Sequence, residues 1–381
     1  MKNNIFLSIV FVLISSCSTL AFWEDDSDDE VIEPVALQSF KNEYPFSIEW
    51  KKSFKGENGL GSFRPSFYSG NMLVADPEGN IFSINPQSGK ENWKINLDRE
   101  LAAGVSSGFG KLIVSDLNGF VIAIDSDTQE TVWEKNIGGE VLSNAVVSAS
   151  LVLAKNSVGE LVALSSLSGE KKWSFRSQLP ALTVRGTGES IIENGIVFST
   201  FDNGRLGAFQ LETGFFLWDA PISFVEGSSE LENLIDADSA PVIAKQLIFA
   251  TNYQGNLTAF DIAQKRPVWN ANASSFYSPI VANNMIMVIQ DDGSILSFSL
   301  SNLSPSWTSK EYLRRQLSSG VAYKNLLLVG DLDGYVHAIN PMTGITVGRK
   351  KVSGNPIMNL VAFRDLAYVI DKESNIVAIK L

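Results

Sequence analysis

One cysteine and one histidine in 381 residues narrow the chemistry before any motif is sought. With Cys17 alone, no disulfide can form within the chain, and no second thiol exists for a C-x-x-C redox or metal pair. With His337 alone, an H-E-x-x-H zinc helix is impossible, and a serine nucleophile has a single imidazole to serve it. No P-loop and no EF-hand spacing occurs either, so neither a cofactor nor a metal site is expected. Charge is thin, at 19% of residues, and one-sided: 30 lysines and arginines face 42 aspartates and glutamates, a net charge of −12. Such a surface repels phosphate backbones, which excludes a nucleic-acid groove. Beyond residue 45 no helical period is sustained, which excludes helical bundles and helical repeat arrays.

What is present begins with an address. Lys2 gives a positive start, 5–14 an apolar run too short to span a bilayer, and Ser15 and Ser16 the small residues that precede a cleavage point. Ile14-Ser15-Ser16-Cys17 resembles the lipobox of bacterial lipoproteins. That resemblance implies cleavage before Cys17, a diacylglycerol on its thiol and an acyl chain on its new amine. Ser18 stands where an aspartate would resemble an inner-membrane retention signal, so an outer-membrane anchor facing the periplasm is expected. The following residues carry the acidic cluster Glu24, Asp25, Asp26, Asp28, Asp29 and Glu30, whose mutual repulsion suits a solvated tether. The expected organisation is a lipoprotein signal peptide over 1–16, a lipidated cysteine with a flexible acidic tether over 17–45, and one domain over 46–381.

That domain is repetitive. Gly79-Asn80-Ile81-Phe82-Ser83-Ile84-Asn85 returns as Gly119-Phe120-Val121-Ile122-Ala123-Ile124-Asp125 and as Gly159-Glu160-Leu161-Val162-Ala163-Leu164-Ser165. Further copies start at Gly204, Gly255, Gly293, Gly334 and Ser374, about forty residues apart. Tryptophan follows at nearly constant distance, as Trp93, Trp133, Trp173, Trp218, Trp269 and Trp307, with Val347 in its place once and Trp50 ahead of the first copy. A forty-residue period with short β-rich runs and glycine turns is that of propeller blades. One repeat accommodates four strands, over 101–107, 111–116, 120–125 and 131–137. The last repeat stops one strand short while 47–54 is an orphan strand, so pairing the two closes a ring. The reading is all-β, an eight-bladed propeller of four-stranded antiparallel blades, with the tryptophans packed between blades.

Departures from the period are where function is to be sought. Gly104-Val105-Ser106-Ser107-Gly108 spells a nucleophile elbow, but it falls on an inner strand and not on a strand-to-helix turn. His337 is read as a packed residue at the repeat position of Ser83 and Ala123. The distance from tryptophan to the next glycine is 26 residues after Trp93 and Trp133, but 31 after Trp173 and 37 after Trp218. Two consecutive connections are therefore enlarged, and connections of that kind leave one face of the ring as neighbours.

The unit Gly-x-x-x-Ala-x-Asp-x-x-(Thr/Ser)-Gly-x-x-x-Trp resembles the repeat of pyrroloquinoline-quinone dehydrogenases, whose paired cysteines and quinone and calcium site have no counterpart here. A periplasmic quinone-dependent oxidoreductase is accordingly the alternative reading. Leu182-Thr183-Val184-Arg185-Gly186 and Asp236-Ala237-Asp238-Ser239-Ala240-Pro241-Val242, with the lipobox and the eight repeats, resemble the BamB family of propeller lipoproteins in the outer-membrane β-barrel assembly machine. Val184 replaces that family's leucine. The resemblance implies a non-catalytic scaffold whose Leu182, Val184, Arg185, Asp236 and Asp238 bind the periplasmic domains of BamA. It further implies help in inserting β-barrel proteins, with unfolded outer-membrane protein clients as further partners and the membrane touched through the lipid alone.

Overall fold

Runs such as Leu151–Lys155 and Glu160–Ser165, apolar on both faces and closed by Asx and glycine turns, have strand propensity and no amphipathic stripe for a helix. A computed structural model describes residues 33–57, 62–178, 188–223, 237 and 239–381, and among these no residue is helical. The strands form eight antiparallel sheets of four. We number them as blades 1 (66–96), 2 (103–136), 3 (146–176), 4 (191–221), 5 (242–272), 6 (280–309), 7 (321–351) and 8 (357–380 with Ser47–Ser53). The chain is an eight-bladed β-propeller.

Within a blade the two middle strands are buried and the outer one is half solvated: Leu151–Lys155 is buried throughout, whereas Lys171–Arg176 alternates between exposed and half-buried. The core lies between blades, since a single apolar cluster joins Ile113, Val121 and Trp133 of blade 2 to Val152, Val162 and Leu164 of blade 3. Buried Asp76, Asp116, Asn156, Asn252, Asp331 and Asp371 occupy the turn between the middle strands. Each accepts the N–H four residues on at 2.8–3.0 Å, which satisfies a donor that water cannot reach.

The orphan strand closes the ring as its sequence implies. Ser47–Ser53 pairs with Asn375–Lys380, Ser47 opposite Lys380 and Ser53 opposite Asn375. The tryptophans bridge neighbouring blades. Trp50, Trp133, Trp173 and Trp307 each donate their indole N–H at 2.8–3.0 Å to a carbonyl in the next blade's outer turn, at Pro86, Ser166, Leu211 and Pro341. The turn's glycine, at 89, 169, 214 and 344, lies flat against the indole: a Cβ there would come within 2.5–2.7 Å of the ring.

Strand register corrects two positions in blade 7. Tryptophan faces Ser83, Ala123 and Ala163 in blades 1 to 3, and in blade 7 the facing pair is Ala338 and Gly348. Gly348, not Val347, therefore holds the tryptophan position, because Val347 is the residue skipped by the bulge that every outer strand carries there. His337 pairs with Arg349 as Phe82 pairs with Lys94, so it stands at the position of Phe82 and Ile122 and not of Ser83 and Ala123. Blade 8 has no outer hairpin for a tryptophan to press on, since its last two strands come from distant parts of the sequence. The approach to Ser47 takes that place: a Cβ on Gly348 would lie 2.6 Å from the Tyr44 carbonyl, and Phe46 is buried among Val347, Ala338 and Leu360.

Candidate functional site

The two enlarged connections run from Lys171–Arg176 to Ile191–Glu193 and from Phe216–Pro221 to Val242–Ala244. Leu182, Val184, Arg185, Asp236 and Asp238 lie outside the described residues, as does Cys17. The roots of both connections are described, and one strand of blade 4, Ile196–Phe201, holds them. At the end of the first, Ser190 Oγ donates to Ser199 Oγ at 3.0 Å. At the end of the second, Thr200 Oγ1 donates to the Ser239 carbonyl at 2.8 Å, and Ser239 Oγ meets Thr251 Oγ1 at 2.9 Å. Ala237 is fully buried in the cluster between blades 4 and 5. The buried Lys155 ammonium donates to the Thr200 carbonyl at 3.2 Å from blade 3. Adjacent residues of one strand thus fasten the ends of both connections, which makes neighbours of them.

The ion pair between Arg64 and Glu189 adds a feature that no repeat predicts. Arg64 precedes the inner strand of blade 1 and Glu189 that of blade 4, three blades on, so the pair crosses the central channel. Both residues border two cavities of about 540 Å³ each. The first cavity is lined by Ser62, Ser239, Phe276, Ser319 and Met358, the second by Ser66, Ser107, Asn144 and Val147. A planar quinone with a calcium ion needs open width and converging carboxylates. The channel offers hydroxyls, a methionine and one bridging ion pair, and among the described residues no three His, Cys, Asp or Glu side chains converge on a point. The described residues do not fit that group.

The nucleophile-like letters Gly104 to Gly108, with Ser106 in the serine position, lie along the inner strand Ala103–Gly108 and not on a strand-to-helix turn. His337 is far from them, in the wall of blade 7. Its Nδ1 accepts from Arg349 Nε at 2.9 Å, so the proton of the neutral ring sits on Nε2 and is donated to Asp331 Oδ2 at 3.0 Å. Burial pushes the imidazole below its ordinary value, against the pull of Asp331. Burial would raise Asp331, but the His337 hydrogen bond leads the contacts that hold its carboxyl below the usual range. Arg315 Nε completes the group at 2.9 Å from the same carboxylate oxygen. This pattern locks a side chain in place and leaves no lone pair free for general base work. The single histidine could be found in the sequence; its partner Arg349 and the Arg315 that shares Asp331 with it could not.

A model of the family described as outer membrane protein assembly factor BamB matches residues 77–309 and 278–380. The outer membrane protein assembly factor BamB of Pseudomonas aeruginosa is 36% identical over 328 residues, covering 86% of each chain. The crystal structure of BamB from Moraxella catarrhalis superposes with a TM-score of 0.81 at 21% identity, over 88% of this chain and 100% of that one. Quinohemoprotein alcohol dehydrogenase from Comamonas testosteroni shares the propeller, with a TM-score of 0.70 at 12% identity over 88% of this chain and 76% of that one. With blade count, closing strand and paired long connections in hand, the chain belongs to the family of the outer membrane protein assembly factor BamB.

Proposed function

We propose that this chain is a non-catalytic scaffold lipoprotein of the outer-membrane β-barrel assembly machine. Lipid on Cys17 holds it at the periplasmic face of the outer membrane. The connections over 177–190 and 222–241 bind the periplasmic domains of BamA, so that unfolded barrel chains are received and inserted beside it. The observation that carries the reading is the shared fastening of those two connections on Ser199 and Thr200. A rigid blade presenting two neighbouring loops is what a partner surface needs.

In this reading Leu182 and Val184 are the apolar anchor, Arg185 a forked donor, and Asp236 and Asp238 acceptors for the partner. Buried anchors dominate such interfaces while rim charges add little, so Leu182→Ala or Arg185→Ala is expected to cost more than about 1 kcal/mol of binding. Asp236→Ala with Asp238→Ala acts mainly on electrostatic complementarity. Affinity for BamA's periplasmic domains and melting temperature are measured on the same variants. Full affinity in all of them refutes the site, and joint loss of affinity and folding reduces it to an internal contact.

A further inference from the structure

Blade 7 departs from the repeat at two neighbouring positions, and the residues around both bear on one stretch of chain. Where blades 1 to 3 carry Phe82, Ile122 and Val162, it carries His337, and where they carry tryptophan it carries Gly348. The two arginines held by the His337 and Asp331 pair point outward onto main-chain carbonyls of residues 35–46. Arg315 Nη1 donates to the Val35 carbonyl at 3.1 Å and Arg349 Nη1 to the Gln38 carbonyl at 2.8 Å. Lys350 Nζ donates to the Phe46 carbonyl at 2.7 Å. In return, the Val35 N–H reaches the Leu313 carbonyl at 3.1 Å, and those of Glu43 and Tyr44 converge on the Val347 carbonyl at 2.8 and 3.1 Å. The Arg349 guanidinium also lies over the Phe40 ring at 4.8 Å and pairs with Glu311 at 2.9 Å, while Leu37 packs on the core between blades 6 and 7.

Two arginines oriented by buried partners, each with donors to spare, make a socket for extended backbone and are costly to keep for any other end. We propose that residues 35–46 are a strap docked in this socket, so that blade 7 is where the tether leaves the ring. Blade 7 lies three places round from blade 4 in a ring of eight. An anchor at Cys17 then holds the propeller by the blade 7 side of its rim and not by blades 3 to 5, which carry the paired connections. The docked strap stands on the geometry above; its consequence for orientation rests on the lipid reading of Cys17.

Both halves are testable on the full-length lipidated protein. Amides of Val35, Glu43 and Tyr44 are expected to exchange on the order of tenfold or more slower than in an unstructured peptide. A Leu37→Ser, Phe40→Ser double variant is expected to lose that protection while the blade amides keep theirs. Arg349→Lys, which keeps the charge but lacks the fork that reaches Gln38, provides a milder second variant. Random-coil exchange over 35–44 in the native protein overturns the strap. For orientation, a dye on Met342→Cys in blade 7 or Leu167→Cys in blade 3, both exposed outer turns of one face, reports energy transfer to a dye-labelled lipid. The probe is a vesicle of phosphatidylethanolamine and phosphatidylglycerol. Stronger transfer from 342 than from 167, lost in the double variant, is expected, and equal transfer overturns the orientation. Protected amides with no transfer from either site leave the strap standing and overturn the anchor on which the orientation depends.

Discussion

Gly169→Ala is the substitution whose cost the structure specifies best. Gly169 has φ +68° and its missing Cβ would sit 2.7 Å from Cδ2 and Cε3 of Trp133, a ring that is 7% exposed and bonded to the Ser166 carbonyl of the same turn. Alanine pays about 1–2 kcal/mol for the left-handed backbone alone. Moving the indole away costs a further ~1–3 kcal/mol of overpacking, together with its buried hydrogen bond, so a total of about 3–5 kcal/mol is expected. Gly195→Ala supplies the control, because Gly195 has φ +76° and nothing within 4 Å of the added carbon. It carries the backbone term only, about 1–2 kcal/mol. Urea unfolding followed by tryptophan fluorescence reads both variants against the parent. Equal destabilisation of the two refutes the view that each tryptophan bears on the next blade's turn.

Other perturbations address the seam, the histidine and the anchor. Deleting Ser47–Ser53 exposes the edge Asn375–Lys380 and strips Trp50 from the cluster of Met72 and Tyr368, so a fall in melting temperature well beyond that of a typical single substitution is expected; an unchanged melt refutes closure by that strand. His337 is held neutral, below its ordinary value, so the unfolded chain binds the extra proton first: its contribution is whole above about pH 6.5 and declines below, by at most roughly 1.4 kcal/mol per pH unit. His337→Gln is expected to flatten the melting-temperature slope between pH 7.5 and 5, and parallel slopes in parent and variant speak against a buried neutral imidazole. Cys17→Ala is expected to move the protein from the membrane to the soluble fraction with the melt unchanged, and retention at the membrane without its partner counts against lipidation.

The ring was legible because its period is written in chemistry that only one geometry uses. Gly79, Gly119, Gly159, Gly204, Gly293 and Gly334, at that spacing, sit in left-handed turns, and the orphan strand around Trp50 finds its register partner in Asn375–Lys380. The departures were legible as places but not as structures. Two long connections could be located by spacing, yet their fastening depends on Ser199, Thr200 and Glu189, ordinary strand and loop residues whose partners stand 9, 39 and 125 residues away in the sequence. Blade 7 shows the limit most clearly. The fourteen residues that separate glycine from tryptophan in the other blades lead from Gly334 to Gly348, yet the eye is drawn to apolar Val347, which the bulge turns out of register. Val35 and Phe40 follow an acidic run and read as more tether, because their partners Leu313, Arg315 and Arg349 are more than 270 residues away.

The seam between Ser47–Ser53 and Asn375–Lys380 also sets a schedule. Pairing across more than 300 residues is the most non-local event the fold requires, and loops of that length close slowly. Whichever of the two strands is delivered first must wait beside a growing set of finished blades. A waiting strand with a bare apolar edge would recruit the wrong neighbour. Ser47–Ser53 carries Glu49, Lys51 and Lys52 around its single tryptophan, and charges in that density discourage stray pairing while leaving Ile48 and Trp50 to recognise the right edge. The strand that closes the ring is thereby also guarded against closing on anything else.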